Sequence, residues 1–337
     1  MNVSRTTDAE SPCVLISVVI PSFNEEDVIV STYHRLVMAL EPLPKSDFEL
    51  IFIDDGSDDR TLEILRSIQI ADRRVRVVRL SRNFGHQMAV TAGLEHATGD
   101  VVALIDADLQ DPPEVIGEML QRWRRGADVA YGVRIEREGE TAFKLWTAKA
   151  FYRSINRVSD IEIPLDAGDF RLMDRAVVDA LLSMPERDRF VRGMVAWLGF
   201  TQEAVFYRRA ARLAGETKYP LRKMLLFALD GVLSFSLVPL RLAIWMGFAT
   251  AGVALLGFIY AISMRVMTNI WVPGWTLLFI ACSSIGGIQL VFLGVLGEYI
   301  GRIYGEVKRR PLYIVRERLG FGSSVRRSRV FDVKASS

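Results

Sequence analysis

Cysteine is nearly absent from this chain of 337 residues. Cys13 precedes the first apolar strand pattern and Cys282 lies inside a long apolar run, so no disulfide framework can be drawn and the chain does not read as secreted. Histidine is also scarce, at three, and none has metal-ligand spacing. His34 and His96 fall in helical patterns as ordinary positions, while His86, which follows an Asn-Phe-Gly loop, is a marginal site candidate. Net charge is almost nil, +2 from 42 basic and 40 acidic residues, which argues against a nucleic-acid partner or an acidic tail. The stretch Met1 to Pro12 is polar and has no apolar core, so no cleavable signal peptide is expected. Neither G-x-G-x-x-G nor G-x-x-x-x-G-K-[ST] occurs in the candidate site loops, which speaks against a glycine-cradled dinucleotide or P-loop site.

What is present is apolar and unevenly charged. Half of the residues are hydrophobic, too many for a disordered chain. Residues 1–205 hold 24 Lys and Arg against 34 Asp and Glu, whereas residues 206–337 hold 18 against 6. Two regions facing different solvents are the first inference. In the basic region, Leu242 to Met264 and Trp275 to Gly297 carry no charge, and about 20 such residues can cross a hydrocarbon core of about 30 Å. The expectation is a two-helix transmembrane hairpin turned at Pro273-Gly274. Arg208, Arg209, Arg212, Lys218, Arg222, Lys223 and Arg241 precede it and Arg302, Lys308, Arg309, Arg310, Arg316 and Arg318 follow it, against Arg265 alone between the spans. That bias puts both ends in the cytoplasm. Residues 219–238, apolar but bearing Arg222, Lys223 and Asp230, are expected to form interfacial amphipathic helices. A helix packed on the soluble domain is the alternative for that segment.

The acidic region alternates β-rich runs (Leu15–Ile20, Leu50–Asp54, Val75–Leu80, Val101–Asp106, Asp128–Tyr131) with stretches of helical length. That order predicts an α/β fold with a mostly parallel sheet and helices on both faces. Asn24 before three acids, and Asp58-Asp59 before Leu62, are expected to cap helices. In such sheets ligands bind beyond the carboxyl ends of the strands. Four successive loops deliver polar groups there: Pro21 to Glu25, Asp54 to Asp58, Ser81 to Gly85, and Asp106 to Asp111. Asp106 and Asp108 straddle one residue at a strand end, so both can turn toward one hard cation, Mg²⁺ or Mn²⁺, with Gln110 adding a third oxygen. An isolated Asp-x-Asp is equally compatible with a capped turn. Adjacent Asp54 and Asp55 on a buried strand end are costly without a ligand, which favours nucleotide contacts.

The runs P-S-F-N-E-E, D-D-G-S-D-D, S-R-N-F-G, D-A-D-L-Q-D-P-P-E and G-D-F-R-L-M-D-R together resemble family 2 glycosyltransferases of the GT-A (Rossmann-like) fold. The likeness is to the polyprenyl-phosphate branch that includes dolichyl-phosphate mannose synthase and bactoprenol glucosyltransferase. M-P-E-R at 184–187 and G-E-T-K-Y at 215–219 lean toward the latter. The resemblance implies that Pro21, Phe23, Glu25, Asp54, Asp55 and Asp106 serve the nucleotide-sugar donor, with Asp106, Asp108 and Gln110 on the metal. It implies Asp169 as the base, acting with Asp108 and Arg171, and Arg134, Arg171, Arg212 and Lys218 facing the acceptor phosphate or closing over the site. A lipid phosphate with a second pKa of about 6 is already ionised at neutral pH, so Asp169 has little proton to remove, and hydrogen bonding to Arg171 is its bland alternative.

The resulting expectation is an inverting, metal-dependent transfer of a hexose, glucose from UDP-glucose foremost, to undecaprenyl phosphate at the cytoplasmic face. The alternatives are a GDP-mannose-type donor and a catalytically silent scaffold for a lipid-linked sugar flippase. The expected organisation is a GT-A domain over 1–217, interfacial helices over 218–240, two spans over 241–300 (about 242–264 and 275–297) and a basic cytoplasmic tail over 301–337. That describes an integral protein of the bacterial inner membrane, with a homo-oligomer left open. A processive synthase is disfavoured because Gln121-Arg122-Trp123 does not match Gln-x-x-Arg-Trp.

Overall fold

The computed structural model describes residues 13–135, 167–187, 189–208, 238–268 and 274–322. In chain order the elements are β1 (Val14–Ser22), α1 (Ile29–Leu40), β2 (Ser46–Asp54), α2 (Thr61–Ala71), β3 (Val75–Leu80), α3 (His86–His96), β4 (Val101–Leu104), α4 (Val115–Arg124) and β5 (Val129–Arg134). They continue as β6 (Ala167–Asp174), α5 (Arg175–Ser183), α6 (Val191–Trp197), β7 (Gln202–Tyr207), α7 (Val238–Thr268), α8 (Trp275–Lys308) and β8 (Val315–Leu319). Two compact units divide them, one holding the eight strands with α1 to α6, the other holding α7 and α8.

The first unit is a single mixed sheet in the order β7-β5-β6-β4-β1-β2-β3-β8. Strands β4, β1, β2 and β3 run parallel, as the alternating pattern predicts. β6 enters antiparallel between β4 and β5, and β8 closes the far edge antiparallel to β3. Side chains alternate across the strands with period two. Ile16, Val18 and Ile20 of β1 and Leu50 and Phe52 of β2 join α1, α2 and α4 on one face. Val19, Ile51 and Ile53 join α3, α5 and α6 on the other. Strands buried on both faces read as near-continuous apolar runs, and β1 and β2 do so.

The helix cap expected at Asn24 does not form, and the one expected at Asp58-Asp59 reduces to a single bond from Asp59 to the first N–H of α2. α1 begins at Ile29 without a side-chain cap. Asn24, at φ 55°, instead joins two loops, its backbone N–H donating to Ser57 Oγ (3.0 Å) and its Oδ1 accepting from Asp58 N–H (2.9 Å). Asp59 divides its carboxylate between Thr61 N–H (3.0 Å), at the start of α2, and Glu26 N–H (3.2 Å) of the neighbouring loop. Short polar side chains cap helices when no better donor competes, and here the adjacent loop supplies one.

Among the described residues, no helix is long and apolar enough to cross a membrane. That finding overturns the expected transmembrane hairpin and, with it, the expected integral inner-membrane protein with both termini in the cytoplasm. α7 and α8, at 31 and 34 residues, extend about 46 and 51 Å at 1.5 Å per residue, but the apolar positions described along them do not make a span of the length and hydropathy that a hydrocarbon core requires. The interfacial helices expected before α7 lie outside the described residues except at their last positions.

The end of α3 carries a pH-sensitive element. His96 is buried, its Nδ1 donates to Ala92 O (2.7 Å), its Nε2 has no partner, and its ring meets Phe321 edge-on. Burial, foremost, and the Arg318 charge push its pKa below the ordinary value, against the Ala92 hydrogen bond. A histidine depressed in the folded state carries stability that is complete above about 6.5, its unfolded value, and is lost as pH falls toward the folded value. Urea denaturation at about pH 7.5 and about pH 5.5 should show a loss in the parent protein that is smaller in His96→Met. Equal losses would refute the assignment.

Candidate active site

The site is built at the carboxyl ends of the parallel strands. Asp54 ends β2 and Asp55 follows it, both buried, and both carboxyls are raised first by burial. Asp54 Oδ1 accepts from Ser57 N–H (3.0 Å), and Arg79 lies 3.6 Å from Oδ2. Asp55 uses one oxygen on Phe84 N–H (2.8 Å) and the other on Gly85 N–H (2.9 Å). Of these two acids, both expected at the nucleoside, Asp55 joins its loop to the one that precedes α3, while Asp54 Oδ2 is buried without a hydrogen-bond partner. Gly56 between those loops has φ 73°, and a Cβ there would stand 2.5 Å from the Arg82 carbonyl carbon, so only glycine permits the approach. Pro21 pairs with Ile53 one position before the end of β1, Phe23 is exposed at 41%, and Glu25 donates its backbone N–H to Thr61 Oγ1 (2.9 Å).

Asp55 fixes the loop that launches α3, and His86 is the first residue of that helix. His86 Nε2 lies 3.3 Å from Asp169 Oδ2 and 3.8 Å from Asp106 Oδ1. Asp169 comes from β6 and Asp106 from the loop after β4, so the topology brings together two residues 63 positions apart in number. The other oxygen of Asp169 accepts from Arg192 Nη2 (3.3 Å) of α6. Burial alone would raise the Asp169 carboxyl, but the His86 hydrogen bond and the Arg192 and Arg171 charges hold it well below the usual carboxylate range. Asp106 is pushed up to about 6, by burial first and then by the negative charges of Asp169, Asp111 and Asp108, with His86 opposing. Burial lowers His86, but its two carboxylate neighbours more than offset this and raise it.

Asp108 accepts from Gln110 N–H (3.1 Å) and Gln110 is buried. The loop holding them is pinned by Thr32, whose hydroxyl donates to Ala107 O (2.6 Å), and passes through Leu109 at φ 56°. Among the described residues, no group of three or more His, Cys, Asp or Glu is arranged to hold a metal ion. Arg171 is buried, its guanidinium donating to the carbonyls of Asp169 (3.3 Å) and Gly168 (3.2 Å), and desolvation lowers its pKa to about 10.

Arg134, at the end of β5, sits in a closed triangle. Its Nε donates to the Tyr207 hydroxyl (3.2 Å), its Nη2 to Asp111 (3.3 Å), and the Tyr207 hydroxyl donates to Asp111. Two glycines make room: a Cβ on Gly132 would press on the Tyr207 ring at 2.6 Å, and one on Gly168 would stand 3.2 Å from Arg134 Nη2. Arg212 and Lys218 lie outside the described residues. Arg192, Asp111 and Tyr207 escape sequence reasoning. The one available signal was for Asp111, a third acid after Asp106 and Asp108, and it is equally a capping signal before Pro112-Pro113.

The family 2 glycosyl transferase model matches residues 17–182. An uncharacterised glycosyltransferase of Bacillus subtilis strain 168, YkcC, is 50% identical over 304 residues, covering 90% of this chain and 94% of its own. A prophage bactoprenol glucosyl transferase homolog of Escherichia coli K12 is 42% identical over 304 residues, covering 89% and 98%. Among solved structures, the glucosyl-3-phosphoglycerate synthase of Mycobacterium tuberculosis, crystallised with Mn²⁺, UDP-glucose and phosphoglyceric acid, is 22% identical with a TM-score of 0.43, covering 65% and 78%. With half of its residues shared across nearly the full length of a relative, and with polar loops converging where such enzymes work, the chain belongs to glycosyltransferase family 2 and is a glycosyltransferase.

Proposed function

We propose that the protein transfers a hexose, glucose from UDP-glucose, to a polyprenyl phosphate with inversion at the anomeric carbon. The observation that carries this reading is the convergence of Asp106 and Asp169 on either side of His86. Support for the acceptor class comes from relatives bearing the name bactoprenol glucosyl transferase, one of them from Shigella phage SfII at 41% identity.

The chemistry needs little proton traffic. A phosphate monoester, with a second pKa of about 6, arrives largely as the dianion. Its oxygen bonds to the anomeric carbon while the bond from that carbon to the donor diphosphate breaks, and the nucleoside diphosphate departs with the electron pair. Asp169, held low, is a poor proton acceptor, so its task is to fix Arg192 and the sugar side of the site. Arg134, braced by Asp111 and Tyr207, faces phosphate in this reading, as do Arg212 and Lys218. Pro21, Phe23 and Glu25 line the nucleoside, shaped from behind by Asp54 and Asp55.

The residues present fit a divalent cation. Asp106 is crowded by the charges of Asp169, Asp111 and Asp108, a surplus that a hard cation relieves. Asp106 and Asp108, with Gln110, would hold Mg²⁺ or Mn²⁺, which stabilises negative charge developing on the departing diphosphate. Such cations are commonly held by one or two carboxylates together with substrate phosphates, in keeping with two protein carboxylates.

The test uses the full chain in detergent micelles with undecaprenyl phosphate, Mg²⁺ and a panel of UDP-glucose, GDP-mannose and UDP-N-acetylglucosamine. A glucosylated lipid formed from UDP-glucose and abolished by a chelator is the expected result. Preference for GDP-mannose would overturn the donor, and no lipid product from any donor would overturn the reaction.

A further inference from the structure

We propose that His86 is a positioning residue for this transfer, its Nε2 holding the carboxylate of Asp169 in place with Asp106 as a charge neighbour, so that β6 and the loop after β4 keep one register. The inference rests on the placement of those two acids at the reaction centre. Its geometry is independent of that reading.

Three features fix the imidazole. Asp55 grips the two backbone N–H groups ahead of it, Phe84 and Gly85, and Gly85 turns at φ 97°. One residue further on, Gln87 Oε1 accepts from Val191 N–H (3.1 Å), docking α3 on α6. α6 in turn carries Arg192 to Asp169 Oδ1, so Asp169 is held at one oxygen by each of two helices already locked together. Nε2 has a single hydrogen. Asp169 Oδ2, at 3.3 Å, is its nearer ion-pair partner, while Asp106, at 3.8 Å, is beyond a good hydrogen bond and is held as a charge neighbour. A donor replaced by a methyl at this point frees the Asp169 carboxylate to turn, without removing any group that would touch donor or acceptor.

The experiment is a double-mutant cycle on the full chain, with His86→Ala, His86→Gln, Asp169→Asn and the pairs. Loss of an orienting partner typically lowers activity by about 10- to 100-fold, so His86→Ala should lower kcat by that factor with donor KM within about threefold. His86→Gln keeps an N–H donor and should recover most of the loss. In the Asp169→Asn background, His86→Ala should cost less than about threefold further, the non-additivity expected of residues acting through one contact. Additive losses, a loss carried wholly by donor KM, or a glutamine variant no better than alanine would overturn the proposal. Melting temperatures of the same set, taken with chelator, read the bridge without turnover: coupled shifts support it and additive shifts overturn it. If the parent transfers sugar to no polyprenyl phosphate, the functional reading falls alone and the melting cycle still decides for His86.

Discussion

Asp106→Asn is expected to lose about 10²- to 10³-fold in transfer and, in chelator, to melt higher than the parent. The loss follows from the proposed metal role, since removing a group that stabilises charge in the transition state costs on this order. The gain follows from the carboxyl's setting. Burial and the charges of Asp169, Asp111 and Asp108 push Asp106 up to about 6. An acid raised in the folded state destabilises it increasingly as pH climbs from the unfolded value of about 4 through the folded one. Asparagine removes that burden, fully above about pH 6 and hardly at all near pH 4. The side chain keeps 41% of its surface open to solvent, so screening limits the rise to about 1–3 °C. Retained activity above about one tenth, or a lower melting temperature at neutral pH, would refute the assignment. The opposed signs distinguish a working site from a structural one, because a structural carboxylate would lower both.

Asp111→Ala should be the most destabilising change around the site. Asp111 is 2% exposed and accepts from both Arg134 and Tyr207. Its removal strands a guanidinium that is 24% exposed and a buried hydroxyl raised above its ordinary pKa by burial and by Asp111. Breaking one partner of a buried pair costs about 3–5 kcal/mol when both are fully enclosed, so about 2–4 kcal/mol fits this partly open case. Tyr207→Phe should cost only about 1 kcal/mol, because the ring keeps its edge-on packing against Phe170. The double variant should fall short of the sum. On the proposed reading both changes loosen Arg134 and raise acceptor KM more than they lower kcat. Equilibrium denaturation and initial rates at varied lipid phosphate check the two halves separately, and an Asp111→Ala variant within about 1 kcal/mol of the parent would refute the triangle.

The sequence was most informative where one physical signal acted alone. β1 to β4 were legible because apolar runs bounded by polar loops predict buried parallel strands, and their carboxyl ends marked the site. β6 was not, since A-G-D-F-R-L-M-D carries two acids, an arginine and a glycine and acquires strand character only between β4 and β5. β8 was hidden in what reads as a basic tail. Within the site, Asp54 and Asp55 were visible as costly buried acids, but the sequence could not show that loop N–H groups already satisfy Asp55. Arg192 and Tyr207 were invisible because their partners lie 23 and 96 positions away, and no local pattern encodes such a pairing. The uncharged stretches of α7 and α8 did become long helices, yet uncharged is not the same as apolar enough to cross a membrane.

The strand β8 has a consequence for how the protein is made. It completes the sheet only after residues 315–319 have been synthesised: Arg66 meets Glu317 across 251 positions, and Tyr313 reaches back to Glu95. At about 5–20 residues per second, a ribosome leaves the outer edge of β3 bare for roughly 12 to 50 s. An unpaired strand edge is a template for association with other chains. The protein therefore passes through a period in which its sheet unit is nearly built but adhesive, and the last described strand acts as its closing seam.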